Sequence, residues 1–172
     1  MKKGTTFLRV IYVLLATAVL GLQSCKKNEE RILDPTNNGS DGSLKAIIAH
    51  TNWQATYINA IDSANMIIIY GSMTNTVGDN FPIMIVSFPH NIAAGTTIHF
   101  KAGQRSSLEY MESSNYVFSA EPTFGGSGSL SISKFDKGNK HIEGTFSADV
   151  RNINRDGTFK NITSGKFAIN YD

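Results

Sequence analysis

Residues 141–151 read HIEGTFSADVR, and this stretch decides the fold class. Ile142, Gly144, Phe146, Ala148 and Val150 occupy every second position, with His141, Glu143, Thr145, Ser147, Asp149 and Arg151 between them. A period of two places the first set on one face of a strand and the second set on the other. One face is apolar and one is wet, as in a sheet that packs on one side only. The last segment repeats the pattern, with Phe167, Ile169 and Tyr171 inward and Lys166, Ala168 and Asn170 outward. Between the two runs sits Asp156-Gly157, a strong tight-turn signal. Lys137-Gly138-Asn139 marks an earlier turn, after a strand that carries Leu130 and Ile132.

Further toward the N-terminus, two segments are apolar on both faces: MIIIY at 66–70 and FPIMIVSF at 81–88. Short, β-branched and bounded by turn residues, they read as central strands covered on both sides. Pro82, near the start of the second, fits a strand beginning or an edge. Residues 44–50, 53–61, 96–101 and 116–120 read as further strands. No window sustains a helical period, beyond a turn over 106–112. The expected architecture is all-β, an antiparallel β-sandwich, with a small antiparallel, lipocalin-like barrel as the alternative. Residues 44–172 supply a single β-domain.

The first 25 residues are of a different kind. Lys2, Lys3 and Arg9 precede an apolar run of 13 residues, VIYVLLATAVLGL at 10–22, followed by Gln23-Ser24-Cys25. Charge, apolar core and small residues in that order describe a secretory signal peptide. The run is short of the roughly 20 apolar residues that span a bilayer. Leu22-Gln23-Ser24-Cys25 resembles the bacterial lipobox. That resemblance implies cleavage after residue 24 and a lipid on the Cys25 thiol. It gives a 1–24 signal and a 25–43 segment made of the lipidated cysteine and a tether. Residues 26–43, KKNEERILDPTNNGSDGS, hold too little apolar surface to offset their ordering entropy and read as a flexible linker. Cys25-Lys26-Lys27-Asn28-Glu29-Glu30 partly resembles the export signals of Bacteroidota surface lipoproteins, so the periplasmic face of the outer membrane and the cell surface are both open.

The formal charge of +2 divides along the same lines. Without the first 24 residues, thirteen cationic side chains face fourteen anionic ones, a net charge of −1. No basic nucleic-acid surface is expected. Cys25 is the only cysteine, which excludes an intrachain disulfide and a thiolate zinc cluster.

Several pieces together resemble a Bacteroidota family of lipoproteins that carry a domain of unknown function. They are Asn52-Trp53-Gln54-Ala55, GSLSISKFD at 128–136, IEGTFSA at 142–148 and ITSGKFAINY at 162–171. The likeness lies mainly in the C-terminal third. It implies strand and turn positions, with Gly144 and Gly165 preceding outward-inward alternation and Phe146, Phe167 and Tyr171 in the core. It implies no catalytic residues.

The candidate chemistry is sparse. His50, His90, His99 and His141 have no spacing typical of metal ligands. His141 and Glu143 share one strand face, about 6 to 7 Å apart at the strand rise, and a metal would need a third ligand from elsewhere. Glu109 and Glu112 have the spacing of one helical face, among serines that indicate a loop. Residues 125–129, GGSGS, lack the Lys-Ser or Lys-Thr of a phosphate loop and read as a flexible connection. No Gly-x-Ser-x-Gly elbow is present. Asp62-Ser63-Ala64 resembles the short O-glycosylation site of exported Bacteroidota proteins, with Ser63 as acceptor. Trp53, Tyr57, Tyr110 and Tyr116, with Phe124, are candidate binding aromatics, provided that three of them form an exposed platform.

The function expected is that of a lipid-anchored, outer-membrane envelope lipoprotein. Its non-enzymatic β-domain would bind a protein or glycan partner, without metal, cofactor or nucleic acid. The alternatives are a small apolar-ligand carrier of barrel type and an enzyme built from scattered histidines and acids.

Overall fold

The computed structural model describes residues 42–74 and 80–172. The expected signal, Cys25 and nearly all of the expected tether lie outside the described residues. The described chain forms eleven strands and one short 3-10 turn. They are β1 (Gly42–Ile48), β2 (Thr51–Gln54), β3 (Tyr57–Ser63), β4 (Met66–Ser72), β5 (Ile83–Pro89), β6 (Thr97–His99), β7 (Ser107–Ser113) and β8 (Tyr116–Ser119). The turn Pro122–Phe124 follows, then β9 (Ser127–Asp136), β10 (His141–Asn152) and β11 (Phe159–Asn170).

All pairings are antiparallel, and the ladder runs β2-β1-β11-β10-β8-β7-β5-β4-β3. Its two ends, β2 and β3, are consecutive in the chain and separated only by Ala55 and Thr56. At this bend Ala55 N–H donates to Leu44 O at 3.0 Å, and Thr56 N–H donates to Ser72 O at 2.8 Å. The sheet thus curls back on itself, in a barrel-like form whose opposed walls pack as the layers of a sandwich do. β10 is the branch point. Residues 141–149 pair with β9, and β9 in turn carries β6. Only Arg151 and Asn152, at the far end of β10, pair with β8.

The inward positions read from the sequence are the buried ones. Ile142, Gly144, Phe146, Ala148 and Val150 are buried along β10, as are Phe167, Ile169 and Tyr171 at the C-terminus. Phe88 of β5 stacks on Phe167 at 6.2 Å between ring centroids, and Phe167 stacks on Phe146 at 6.4 Å. These rings fill the interior between β5 and the β10–β11 wall. Burying each contributes about 1.5 to 3 kcal/mol. Cross-strand partners make the stack possible: Phe146 lies opposite Gly165, and Phe167 lies opposite Gly144. Each ring folds over the glycine of the other strand.

Three expectations are corrected. The turn over 106–112 is strand β7, because Leu108 and Tyr110 alternate inward at strand spacing and the backbone pairs with β5 and β8 on its two sides. Residues 125–129 are not a flexible connection throughout. Ser127, Gly128 and Ser129 belong to β9 and pair with Asp149, Ala148 and Ser147. The single strand expected at 53–61 breaks at Ala55–Thr56, where the chain changes partner from β1 to β4.

Candidate functional site

The residues with chemistry left to perform gather where β10 ends. The β10–β11 loop is drawn tight by its own backbone. Asn152 N–H donates to Thr158 O at 3.1 Å, and Arg155 N–H donates to Asn152 O at 3.0 Å. Asn152 Oδ1 accepts the Asn154 N–H at 2.9 Å, an Asx turn. Arg155 and Gly157 take positive φ values of 57° and 85°. The Asp156 carboxylate accepts from the Thr158 N–H and hydroxyl at 2.8 and 2.6 Å, which holds its pKa below the ordinary aspartate range.

Facing this loop is the 3-10 turn. Pro122 starts it with a fixed φ, and Gly125, at φ 84°, ends it. Its N–H groups are engaged internally: Phe124 and Gly126 donate to Glu121 O, and Gly125 donates to Pro122 O. The Glu121 carboxylate accepts from the Thr123 hydroxyl at 2.8 Å. One side chain ties the two loops together, Arg155 Nη2 donating to Thr123 O at 3.1 Å.

Between them lies an open groove of about 470 Å³, lined by Thr123, Phe124, Arg151, Asn152, Arg155 and Thr158. Its size falls in the range of small-molecule clefts, about 300 to 1,000 Å³. Arg151 lies with its guanidinium 4.6 Å from the centroid of the Phe159 ring, which is itself exposed. Stacking uses the face of the guanidinium and leaves its in-plane N–H donors free. Among the described residues, no carboxylate lies within ion-pair distance of Arg151 or Arg155. Asn152 is 1% exposed, and its Nδ2 has no hydrogen-bond partner. An orphaned buried amide costs about 1 to 3 kcal/mol and needs a reason.

The residues singled out from the sequence are dispersed. Trp53 and Tyr110 are core side chains, buried like the strand positions they occupy, and they leave the set of surface aromatics. Tyr57 is half-buried against Tyr70, their ring centroids 6.2 Å apart. Tyr116 is exposed, at the start of β8. The four form no common platform. Ser63 ends β3 and is exposed beside the two-residue turn Ala64–Asn65, whose φ values are 52° and 66°.

Glu109 is half-buried on β7. Burial, and then the charge of Glu121, push its pKa above the usual glutamate value. Glu112 instead pairs with Lys160 at 2.8 Å. His141 bridges Asn170 Oδ1 at 2.7 Å and Glu143 Oε1 at 3.1 Å, with Lys134 Nζ 3.6 Å from the same carboxylate. His90 pairs with Asp62 at the other end of the domain, near Phe135. Among the described residues, no three His, Cys, Asp or Glu side chains group as metal ligands.

The groove was not visible in the sequence. Its one local signal is Arg-Asn-x-Asn-Arg at 151–155 leading into Asp-Gly. Its other wall is about thirty residues earlier in the chain. Comparison with protein-family models, with curated proteins and with solved structures finds no match.

Proposed function

We propose that this protein is a lipid-anchored lipoprotein of the bacterial envelope whose β-domain binds a partner, preferably a glycan, and carries out no chemistry of its own. The anchor rests on Leu22-Gln23-Ser24-Cys25 and the polar segment behind it. Binding rests on one observation, the groove at the β10 end, lined by two arginines that, among the described residues, have no carboxylate partner. The interior argues against the carrier alternative. The stacked rings of Phe88, Phe167 and Phe146 occupy the volume that an apolar ligand would need. His141 meets one carboxylate and an amide, which favours a surface polar chain over a catalytic pair.

Two measurements test this reading. Cys25→Ala is expected to release the protein from the membrane fraction, and retention there refutes the anchor. The full chain in detergent is then titrated with a panel of neutral and acidic oligosaccharides. Thr123→Trp places a bulky side chain in the groove at an exposed position. Binding that Thr123→Trp abolishes supports the reading. A panel without any ligand, or binding indifferent to Thr123→Trp, refutes it.

A further inference from the structure

The donors of this groove have a common shape. The guanidinium groups of Arg151 and Arg155 are planar forks. Six backbone N–H groups around them are already used. Those of Phe124, Gly125 and Gly126 serve the 3-10 turn, and those of Asn154, Arg155 and Thr158 serve the β10–β11 loop. A phosphate cradle is built from converging backbone N–H groups. Planar forks instead match the two oxygens of a carboxylate.

The surrounding charge limits what carries that carboxylate. The carboxylates of Asp156 and Glu121 stand beside the groove, held by Thr158 and Thr123, which line it. They repel a ligand with many negative charges, such as an acidic peptide. Each retains acceptor capacity for hydroxyl donors. The groove is several times larger than a carboxylate group, and Phe124 offers it an apolar wall. One carboxylate set among hydroxyls, on a ring with an apolar face, is the chemistry of a uronic acid.

We infer that the groove between Pro122–Phe124 and the β10–β11 loop is a subsite for a single uronate residue within a glycan. Arg151 and Arg155 hold the carboxylate, above the buried Asn152 at the groove's floor. Asp156 and Glu121 accept from neighbouring hydroxyls. This inference rests on the glycan-binding reading above and adds the acidic residue to it.

The test uses the full chain in detergent at low salt. The probe is a disaccharide of one glucuronate and one neutral sugar, compared with its neutral glucose counterpart, with acetate and with a hexaglutamate peptide. Affinity is read by calorimetry. Site occupancy is read from the Asn152 side-chain amide resonances, which report without any substitution. The uronate is expected to shift those resonances and to bind at least tenfold more tightly than the neutral disaccharide. Arg155→Ala, at an exposed position, and Arg151→Ala are each expected to weaken it at least tenfold. Arg151→Lys, which keeps the charge but loses the planar fork, is expected to fall between. Equal affinity for the neutral disaccharide overturns the uronate assignment while leaving glycan binding intact. Acetate or hexaglutamate matching the uronate on the same resonances reduces the site to a simple anion site and also overturns it. Unmoved Asn152 resonances, or full affinity in both arginine variants, place the ligand elsewhere.

Discussion

Gly165 lies directly opposite Phe146 across the β10–β11 ladder, and the Phe146 ring occupies the space that a β-carbon on residue 165 would need. The same arrangement recurs in reverse at Gly144 and Phe167. Gly165→Ala is therefore expected to displace the Phe146 ring and destabilise the domain by about 1 to 3 kcal/mol, the usual cost of overpacking. Urea denaturation checks this. The clash predicts strong coupling: in Phe146→Leu the same Gly165→Ala change should cost clearly less. Equal costs in the two backgrounds would show that the ring is not the obstacle.

The turn between β1 and β2 is formed by Ala49 and His50, at φ 47° and 68°. Two consecutive positive φ values are those of a type I′ hairpin, which favours Asn-Gly. An alanine there carries a strain of about 1 to 2 kcal/mol. Replacing the pair by Asn-Gly is expected to raise stability by about 1 kcal/mol, measured as a higher urea midpoint at unchanged slope.

Glu109 has a raised pKa, first from burial and then from Glu121. The folded state keeps this proton to a higher pH than the unfolded chain does. Stability is therefore greatest below the unfolded pKa and falls as pH rises through the folded one. Glu109→Gln is expected to be more stable than the parent at pH 7 and equal to it in acid below the ordinary glutamate range. Denaturation midpoints between pH 3 and pH 7 check this, and parallel curves for the two proteins would contradict it.

Asp156 has the opposite sign. Its pKa is lowered, chiefly by the Thr158 hydroxyl and then by the Thr158 N–H. Its contribution is present above the ordinary aspartate range and is lost as pH falls through the lowered folded value. Asp156→Asn should destabilise the domain at pH 7 and lose that acid dependence. The same substitution should raise protease sensitivity in the β10–β11 loop, seen by limited proteolysis.

Much of the fold could be read from alternation, and some of it could not. β10 and the end of β11 declare themselves because each has one wet face and one dry face along its whole length. β7 does not, because Leu108 and Tyr110 are its only fully buried apolar side chains and polar residues surround them. The bend at Ala55–Thr56 was hidden because it changes the hydrogen-bonding partner while the chain stays extended. The Ala49–His50 turn carries no Asn or Gly to announce it. The groove depends on Arg151 and Asn152 pairing with β8 over two residues only, and so short a non-local contact leaves no period in the sequence.

The register of β1 against β11 has a consequence for reach. Gly42, where the described domain begins, lies beside Ile169, whereas the arginine groove lies at Phe159, the other end of the same strand. Ten residues of strand separate them, a span of about 33 Å. The chain therefore enters the domain at one end of this ladder and the groove opens at the other, so a partner held by Arg151 and Arg155 stands a full strand length from Gly42.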